Sequence, residues 1–395
     1  MHIFISALSR FTQPTGICRH AANLARTLSD LQQITKVTLL VGQWQEEYFR
    51  GAFNLPTTKI EILPIAITNN SVSRNRWFAF GLPKLAKTHQ PAIVHLGFPV
   101  PVFRSRFDCP VVATVHDLYP YDVPKSLGRF NGFCKRIFIR RCMQACDGVT
   151  CVSECTRQSL RAHFPRLTSR VPVKVVHNYA DFPSNSNLSA PPADTRPFLL
   201  TVAQHQPNKR LDLVLQAFAE LRSETLTDED FQLYVVGSDG AHSERLRRYS
   251  RDLDVDRWVH WMPPLSDRQL AELYAHCRVF IASSSIEGFC LPLLEAQVFN
   301  CRIVASDIPV FHEIAGESPV YFDLRGEVVQ NLKEAILHAL HAPSRTPCHD
   351  IRFSRRSTAL ECLDLYAHLL PELVSRNSTD AADGVSVRRL HAATE

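Results

Sequence analysis

Two carboxylates of the 395-residue chain are separated by seven residues in the segment SIEGFCLPLLEA, which runs from Ser285 to Ala296. Glu287 precedes Gly288 in a predicted loop, and Glu295 lies on the predicted helix that follows. Pro292 suits the first turn of that helix, whose unpaired backbone N–H groups could bind a phosphate. Since the carboxylates are too far apart to share a proton, we expect them to hold different parts of a long ligand. The alternative is an ordinary helix with an acidic start and one solvated glutamate.

A lysine follows another predicted strand, within the segment from Thr201 to Asp212. A cation at the carboxyl end of a parallel strand is placed to neutralise a phosphate or diphosphate ligand. Lys209 is the candidate for this role. Arg210 would add a second positive charge, or it is a solvated arginine at the start of a helix.

Two loops nearer the amino terminus carry further candidates. His116 and Asp117 follow the predicted strand Val111 to Val115. A histidine at this place is either a hydrogen-bonded core residue or a cleft residue. In the second case Asp117 would fix the tautomer of the ring or contact a substrate. In the first loop, Gly16 permits close backbone approach and Arg19 can reach an anion, although both also suit an ordinary strand-to-helix turn.

Short apolar runs alternate with longer helical patterns along the chain, and these elements must position the candidate residues. The runs predict strands at His2 to Leu8, Lys36 to Val41, Ile60 to Ile65, Ala92 to Leu96, Val111 to Val115, Gly148 to Val152, Val173 to His177, Phe198 to Ala203, Phe231 to Val236, Trp258 to Met262, Val279 to Ser283, Cys301 to Ala305 and Pro319 to Phe322. Near-continuous apolar runs are typical of parallel strands covered on both faces by helices. We therefore predict an α/β protein with two doubly wound parallel sheets facing across a cleft.

The order of these elements predicts the domain organisation. We expect a first domain over residues 1–180, a proline-rich linker over 181–197 and a second domain over 198–350. A helix over 351–374 would pack back toward the first domain, and residues 375–395 would form a disordered tail.

The segment from Ser285 to Ala296, together with IVASDIPVFHEI from Ile303, closely resembles the donor-binding signature of glycosyltransferase family 4. The Lys209 segment, SDRQLAELY from Ser266, VSECTRQSL from Val152 and the His116 loop occur in the order of that family. The resemblance implies the GT-B fold, with an acceptor-binding and a donor-binding Rossmann-like domain. It also implies a retaining enzyme that uses a nucleotide-diphosphate sugar.

The same resemblance implies roles for single residues. Glu287 would contact hydroxyls of the donor sugar, Glu295 would hold the ribose, and Lys209 would bind the diphosphate. His116 would lie near the reacting sugar. Where the family often carries a second arginine, this chain has neutral residues, which makes Arg210 a candidate substitute. The predicted donor-binding residues are Gly16, Arg19, Lys209, Arg210, Met262, Glu287, Gly288, Phe289, Cys290, Leu291 and Glu295, and the predicted catalytic residues are His116, Asp117, Glu287 and Lys209.

The expected reaction moves a hexose, with mannose from GDP-mannose as the best guess, to a saccharide or lipid-linked acceptor of a cell-surface polysaccharide or lipopolysaccharide. We expect neither a metal nor a cofactor beyond the donor. A nucleotide-sugar epimerase or a glycan phosphorylase of the same fold is the alternative. A nucleic-acid-binding protein is disfavoured, because we expect the arginines not to be interleaved with exposed aromatic residues and the sequence contains no helix-turn-helix or RNA-binding signature. A dinucleotide oxidoreductase would require a G-x-G-x-x-G loop after a strand, which the sequence lacks.

Charge is distributed unevenly along the chain. Residues 1–180 contain 23 Lys and Arg against 9 Asp and Glu, whereas the remainder contains 21 against 30. An amphipathic basic helix near Lys135, Arg136, Arg140 and Arg141 could lie on anionic lipid, although solvated arginines over a buried face are the alternative. No apolar run is long enough to span a bilayer, and the start of the chain lacks the pattern of an export signal. We expect a cytoplasmic protein at the inner face of a membrane.

Two further patterns resemble metal-binding motifs, but we do not interpret them as metal sites. Asp252, Asp254 and Asp256 have the D-x-D spacing, but they precede a strand and so lie far from the carboxyl ends. Four of the twelve cysteines, Cys142, Cys146, Cys151 and Cys155, have spacings unlike those of zinc sites. We expect reduced thiols in both domains.

Overall fold

The computed structural model describes residues 1–53, 55–123, 129–182, 196–224, 231–342 and 350–370. Most of the predicted linker and the whole predicted tail lie outside the described residues. Two parallel sheets form the described part of the chain, each with helices on both faces. The predicted α/β architecture is therefore confirmed.

The first sheet contains seven strands. They are β1 His2–Ser6, β2 Lys36–Gly42, β3 Ile60–Ile65, β4 Ile93–Leu96, β5 Val111–Val115, β6 Gly148–Cys151 and β7 Val173–Val175, in the order β3-β2-β1-β4-β5-β6-β7. Ile3 of β1 pairs with Val37 of β2 on one side and with Ile93 of β4 on the other. Phe4 packs into one core while Ile3 and Ile5 pack into the other, because successive strand residues point to opposite faces.

The second sheet contains six strands. They are β8 Phe198–Val202, β9 Gln232–Val236, β10 Val259–Met262, β11 Val279–Ala282, β12 Ile303–Ser306 and β13 Val320–Phe322, in the order β10-β9-β8-β11-β12-β13. Leu200 and Leu199 of β8 again point into separate cores. In both sheets the order reverses beside the first strand, so each has a switch point where open α/β sheets bind ligands.

The helices connect the strands in the pattern of successive βαβ units. They are α1 Gly16–Ser29, α2 Glu46–Ala52, α3 Ser71–Arg76, α4 Leu82–His89, α5 Tyr119–Asp122, α6 Arg129–Ala145, α7 Glu154–His163, α8 Pro165–Thr168, α9 Leu211–Glu224, α10 Ser243–Asp252, α11 Asp267–His276, α12 Leu291–Val298, α13 Pro309–Ala315, α14 Val328–His341 and α15 Arg355–Leu369. None of the helices in the described ranges is long and apolar enough to cross a bilayer.

The last helix returns to the first sheet. Cys362, Leu365 and Tyr366 of α15 are fully buried in the core that contains Ile3. The Tyr366 hydroxyl lies 2.6 Å from Nδ1 of His95 on β4. The second domain is thus followed by a helix that completes the core of the first.

A glutamate on α13 joins the two domains. The Glu313 carboxylate accepts the N–H groups of Glu154 (2.6 Å) and Cys155 (3.1 Å) at the start of α7. Its Oε1 also lies 3.2 Å from Nε2 of His177, whose Nδ1 lies 3.5 Å from Glu361 on α15. Burial would lower the pKa of His177, but the two carboxylates outweigh it and raise the pKa to about 9. An imidazolium therefore lies between a carboxylate of the second domain, Glu313, and a carboxylate of the last helix, Glu361.

We expect this histidine to stabilise the fold in a pH-dependent way. Because its folded pKa of about 9 exceeds its ordinary value of 6.5, the stabilisation is complete below pH 6.5 and is lost as the pH rises through 9. His177→Gln should lower the free energy of unfolding by about 2 kcal/mol near pH 6 and by much less near pH 9.5. Urea denaturation at the two pH values measures the difference, and an equal loss at both would contradict the assignment.

Candidate active site

A cleft with a volume of about 720 Å³ lies between the carboxyl edges of the two sheets. The first domain contributes the loop after β1, at Gly16, and the loop after β5, at His116. The second contributes the loop after β8, at Lys209, and the loop after β11, at Glu287. Residues distant in sequence meet here because the carboxyl ends of parallel strands share one edge of each sheet.

The glycine loop before α12 touches the opposite domain. A Cβ atom on Gly288 would lie 1.6 Å from the carbonyl oxygen of His116, so no other residue fits without a shift of the backbone. The Gly288 carbonyl oxygen accepts hydrogen bonds from the hydroxyls of Ser153 (2.6 Å) and Thr156 (3.1 Å). The loop is thereby held between the two domains, and α12 begins at Leu291 directly behind it.

Lys209 and Glu287 form an ion pair across the loops that follow β8 and β11. Ser284 donates a second hydrogen bond, of 2.7 Å, to the same Glu287 oxygen. Burial alone would lower the pKa of Lys209, but the charge of Glu287 outweighs it and the pKa is raised. Lys209 is therefore a permanent cation at the wall of the cleft. The structure brings together the two residues for which the sequence predicted separate contacts with one ligand.

Glu295 is a buried carboxylate on α12. Its side chain accepts a hydrogen bond of 2.9 Å from the Tyr274 hydroxyl. Burial raises the pKa of Glu295, and the nearby Arg19 charge opposes that rise. The predicted ribose carboxylate thus faces the cleft with a defined orientation. Tyr274 belongs to the SDRQLAELY segment, where sequence reasoning gave it no individual role.

His116 lies in the cleft as a neutral imidazole. Its Nε2 donates to the carbonyl oxygen of Gly97 at 2.8 Å, and its ring packs edge-on against His20 with centroids 4.7 Å apart. Burial lowers its pKa to about 4. The Gly97 carbonyl, and not Asp117, therefore sets the tautomer, which corrects one of the two roles suggested for Asp117. That carboxylate instead accepts the backbone N–H of Tyr119 at 3.0 Å, and it lines the cleft.

The loop after β1 places Gly16 at the start of α1 and Arg19 one turn later. A Cβ on Gly16 would meet no atom within 4 Å, so this glycine leaves open space in the cleft. Arg19 forms a bidentate ion pair with Asp267 at the start of α11, with nitrogen–oxygen distances of 2.5 and 3.2 Å. Sequence analysis assigned no individual role to Asp267, because an acidic residue in the first turn of a helix is common.

Two of the predicted donor-binding residues do not line the cleft. Arg210 has a left-handed backbone with φ of 48° and its guanidinium lies 3.3 Å from Asp212. Met262 packs against a core of the second domain, and its neighbours Pro264 and Leu265 line the cleft instead. The other predicted donor-binding residues, Gly16, Arg19, Lys209, Glu287, Gly288, Phe289, Cys290, Leu291 and Glu295, all line it.

Within the described ranges, no group of three or more His, Cys, Asp or Glu side chains is arranged to hold a metal ion. Asp254 has a left-handed backbone in the turn that precedes β10, at the opposite edge of the sheet from the cleft. The sulfur atoms of Cys142 and Cys146 are 3.9 Å apart, and both cysteines are buried.

Two known sequence families match the chain. The family described as Glycosyltransferase Family 4 matches residues 14–182, and the one described as Glycosyl transferases group 1 matches residues 187–351. Together the matches cover both Rossmann-like domains. The chain belongs to glycosyltransferase family 4.

Bacterial mannosyltransferases are among the relatives of this chain. It is 30% identical to the serotype-specific mannosyltransferase WbdA of Escherichia coli over 243 residues, covering 56% of this chain and 29% of WbdA. It is 22% identical to the O-antigen chain mannosyltransferase RfbU of Salmonella typhimurium, covering 56% of this chain and 58% of RfbU. The matches therefore span less than two thirds of the length of either relative.

Solved structures place the glycosyltransferase in the GT-B fold. WaaG, a glycosyltransferase involved in lipopolysaccharide biosynthesis, aligns with a TM-score of 0.65 and 16% identity over 95% of this chain and 99% of its own. Sucrose-phosphate synthase from Thermosynechococcus elongatus aligns with a TM-score of 0.66 and 15% identity over 96% of this chain and all of its own. At such identities the likeness concerns the fold alone.

The two cleft glycines should respond differently to an added methyl group. Gly288→Ala places a Cβ against a backbone oxygen, so we expect it to lower the free energy of unfolding by at least about 2 kcal/mol. Gly16→Ala meets no atom and should leave the melting temperature within a few degrees of wild type. Differential scanning calorimetry of both variants tests the contact. Equal melting temperatures would show that the domains do not meet at Gly288.

Proposed function

We propose that this glycosyltransferase is a retaining enzyme that moves mannose from GDP-mannose to a saccharide or lipid-linked acceptor in the synthesis of a cell-surface polysaccharide. The main support is the Lys209 and Glu287 pair, which lies where the carboxyl edges of the two Rossmann-like domains meet. The mannosyltransferase relatives favour mannose among the hexoses. The O-antigen chain on which RfbU acts supports a surface acceptor.

The donor would lie along the wall formed by the second domain. Lys209 and the N–H groups at the start of α12 would bind the diphosphate, because both present positive charge to the cleft. Glu287 would accept hydrogen bonds from hydroxyls of the sugar. Glu295, already oriented by Tyr274, would accept those of the ribose.

Breaking the bond between the sugar and the diphosphate would be assisted by stabilisation of the negative charge on the leaving diphosphate. We propose front-face substitution, in which the departing phosphate oxygen takes the proton of the acceptor hydroxyl while the new glycosidic bond forms on the same face. Lys209 would stabilise the negative charge that develops on the diphosphate. The neutral His116 keeps an unprotonated Nδ1, since Nε2 donates to Gly97, and this atom could accept a hydrogen bond from a sugar hydroxyl. The two domains would hold the reactants in place and exclude water.

In this proposal no metal or cofactor takes part besides the nucleotide sugar. The proposal assigns the charge of the diphosphate to protein groups, namely Lys209 and the amides before α12. A phosphorylase would instead consume inorganic phosphate, so the products distinguish the alternatives.

Lys209→Ala and Glu287→Ala should each lower kcat by at least about 10²-fold while the fold is retained. The assay is release of GDP from GDP-mannose in the presence of bacterial membranes as acceptor, with UDP-glucose and inorganic phosphate as parallel substrates. Arg278→Ala is the control, because that exposed arginine lies at the amino end of β11, away from the cleft. Turnover near that of wild type in either cleft variant would refute the assigned roles.

We further propose that the first domain binds an anionic membrane. Residues 62–107 and 123–146 contain six Lys and Arg each and no Asp or Glu. Large apolar side chains are exposed in these segments, with Phe133 60%, Phe80 51%, Ile137 39% and Phe103 39% accessible. Arg106 stacks on both Phe80 and Phe103, at 4.4 and 5.7 Å from the ring centroids. Aromatic groups flanked by cations suit the interface of an anionic bilayer.

Membrane binding should depend on both charge and apolar contact. We expect the double variant Arg140→Glu with Arg141→Glu to reduce cosedimentation with vesicles of phosphatidylglycerol and phosphatidylethanolamine by at least about fivefold, since each cation near the surface contributes about 1 kcal/mol. Ile137→Ser should cause a reduction of the same size, because it removes an apolar contact. Arg245→Glu with Arg248→Glu reverses two exposed cations of the second domain and is the matched control. Equal binding to neutral phosphatidylcholine vesicles, or an equal loss in the control, would contradict the assigned surface.

A further inference from the structure

The ion pair between Arg19 and Asp267 crosses the cleft. Arg19 belongs to α1 of the first domain and Asp267 to α11 of the second. Nη2 and Nη1 of the guanidinium donate to Oδ1 and Oδ2 at 2.5 and 3.2 Å. Both side chains line the cleft and remain 23% and 28% exposed, so an entering ligand can reach them.

The pair lies beside the carboxylate assigned to the ribose. Arg19, Asp267 and Glu295 all line the cleft. Burial would lower the pKa of Arg19, but the hydrogen bonds to Asp267 and the charge of Glu295 outweigh it, and the pKa is raised. A ligand whose ribose binds Glu295 would therefore bring its phosphates within reach of Arg19. A guanidinium binds phosphate oxygens in the same bidentate geometry that it uses for a carboxylate.

The charged side chains that line the cleft do not favour a bound diphosphate unless a cation leaves its carboxylate partner and binds phosphate instead. Among the described lining residues, Arg19 and Lys209 are the arginine and lysine side chains, and they are opposed by four carboxylates. Those carboxylates are Asp117, Asp267, Glu287 and Glu295. Gln204 and Asn208 are neutral, and Arg210 does not line the cleft. A diphosphate carries at least about two negative charges, so Lys209 alone leaves it incompletely neutralised.

We propose that Arg19 is the second cation of the diphosphate site and that Asp267 is its internal competitor. The diphosphate of the nucleotide would take the guanidinium from Asp267 on binding, and Asp267 would regain it as the product nucleotide leaves. The competition weakens nucleotide binding and speeds product release. This inference rests on the proposed function, because it takes the ligand to be a nucleoside diphosphate.

Asp267 could compete for Arg19 or could only bridge the two domains. These two roles predict opposite changes in nucleotide affinity when Asp267 is replaced. If the pair only held the domains together, removal of either partner would weaken nucleotide binding. If Asp267 competes for Arg19, loss of the aspartate charge strengthens binding whereas loss of the arginine weakens it. Opposite effects from the two partners of one ion pair therefore identify the competition.

Isothermal titration calorimetry with GDP, and with UDP in parallel, measures the effect on the full chain. Asp267→Asn should bind the nucleotide about threefold to tenfold more tightly than wild type, because it releases a partly exposed ion pair. Arg19→Gln should bind at least about tenfold more weakly, and Arg19→Lys should lie between Arg19→Gln and wild type. The double variant Arg19→Gln with Asp267→Asn should match Arg19→Gln alone, because Asp267 acts through Arg19.

The matched control is Asp30→Asn. Asp30 pairs with Arg355 at 2.6 Å at the far end of α1, and neither residue lines the cleft. We expect no change in nucleotide affinity for this variant. Thermal melting of every variant verifies that it is folded, and Asp267→Ser replaces Asp267→Asn if the latter is unstable.

The outcomes separate this inference from the function on which it rests. Weaker binding by both single variants, or tighter binding by Asp267→Asn that persists in the double variant, overturns the competition while the nucleotide site stands. Binding of neither nucleotide by wild type or by Asp267→Asn overturns both. Binding by Asp267→Asn alone supports the competition in its strongest form.

Discussion

A contact between two stretches of backbone governs the geometry of the whole site. Gly288 reaches the carbonyl oxygen of His116 so closely that a single methyl group would collide with it. The hydroxyls of Ser153 and Thr156 then bind the Gly288 carbonyl from the same side. The glycine loop before α12 is therefore positioned by the first domain. Because Glu287 immediately precedes this glycine, its carboxylate is held where Lys209 can meet it.

Beneath this contact lies a layer of neutral polar side chains. His20 and His95 are fully buried, and burial lowers the pKa of each to about 3. Both rings hydrogen-bond to the Thr114 hydroxyl, at 3.2 and 2.8 Å, and the chain of contacts continues from His95 to Tyr366 on α15. Buried imidazoles with satisfied partners orient their neighbours without adding charge. The layer that packs against His116 thus remains uncharged near neutral pH.

The periodicity of the sequence predicted the architecture well because it is a local property. The near-continuous apolar run from Val111 to Val115, for example, favours a strand buried on both faces, and β5 occupies the same bounds. The loops that follow the strands were predicted for the same reason. The sequence predicted Lys209 and Glu287 as candidate site residues, and both line the cleft. Their ion pair joins positions 78 residues apart and depends on tertiary packing.

Other features of the site carry no local signal. The Gly97 carbonyl that holds His116 is a backbone group, which side-chain patterns do not reveal. Asp267 resembles any acidic residue at the start of a helix until the opposite domain supplies Arg19. Arg210 is the opposite case, because its position next to Lys209 in the sequence suggested that it binds phosphate. Its left-handed backbone instead places the guanidinium beside Asp212.

The return of the chain to the first domain has a mechanical consequence. The polypeptide passes from the first sheet to the second after β7 and comes back before α15, whose side chains are embedded in the first core. Two covalent connections between the domains restrict how the domains can move relative to each other. Any large displacement of the second domain would pull on α15, whose side chains are buried in the first core. The cleft would therefore open only as far as both connections allow.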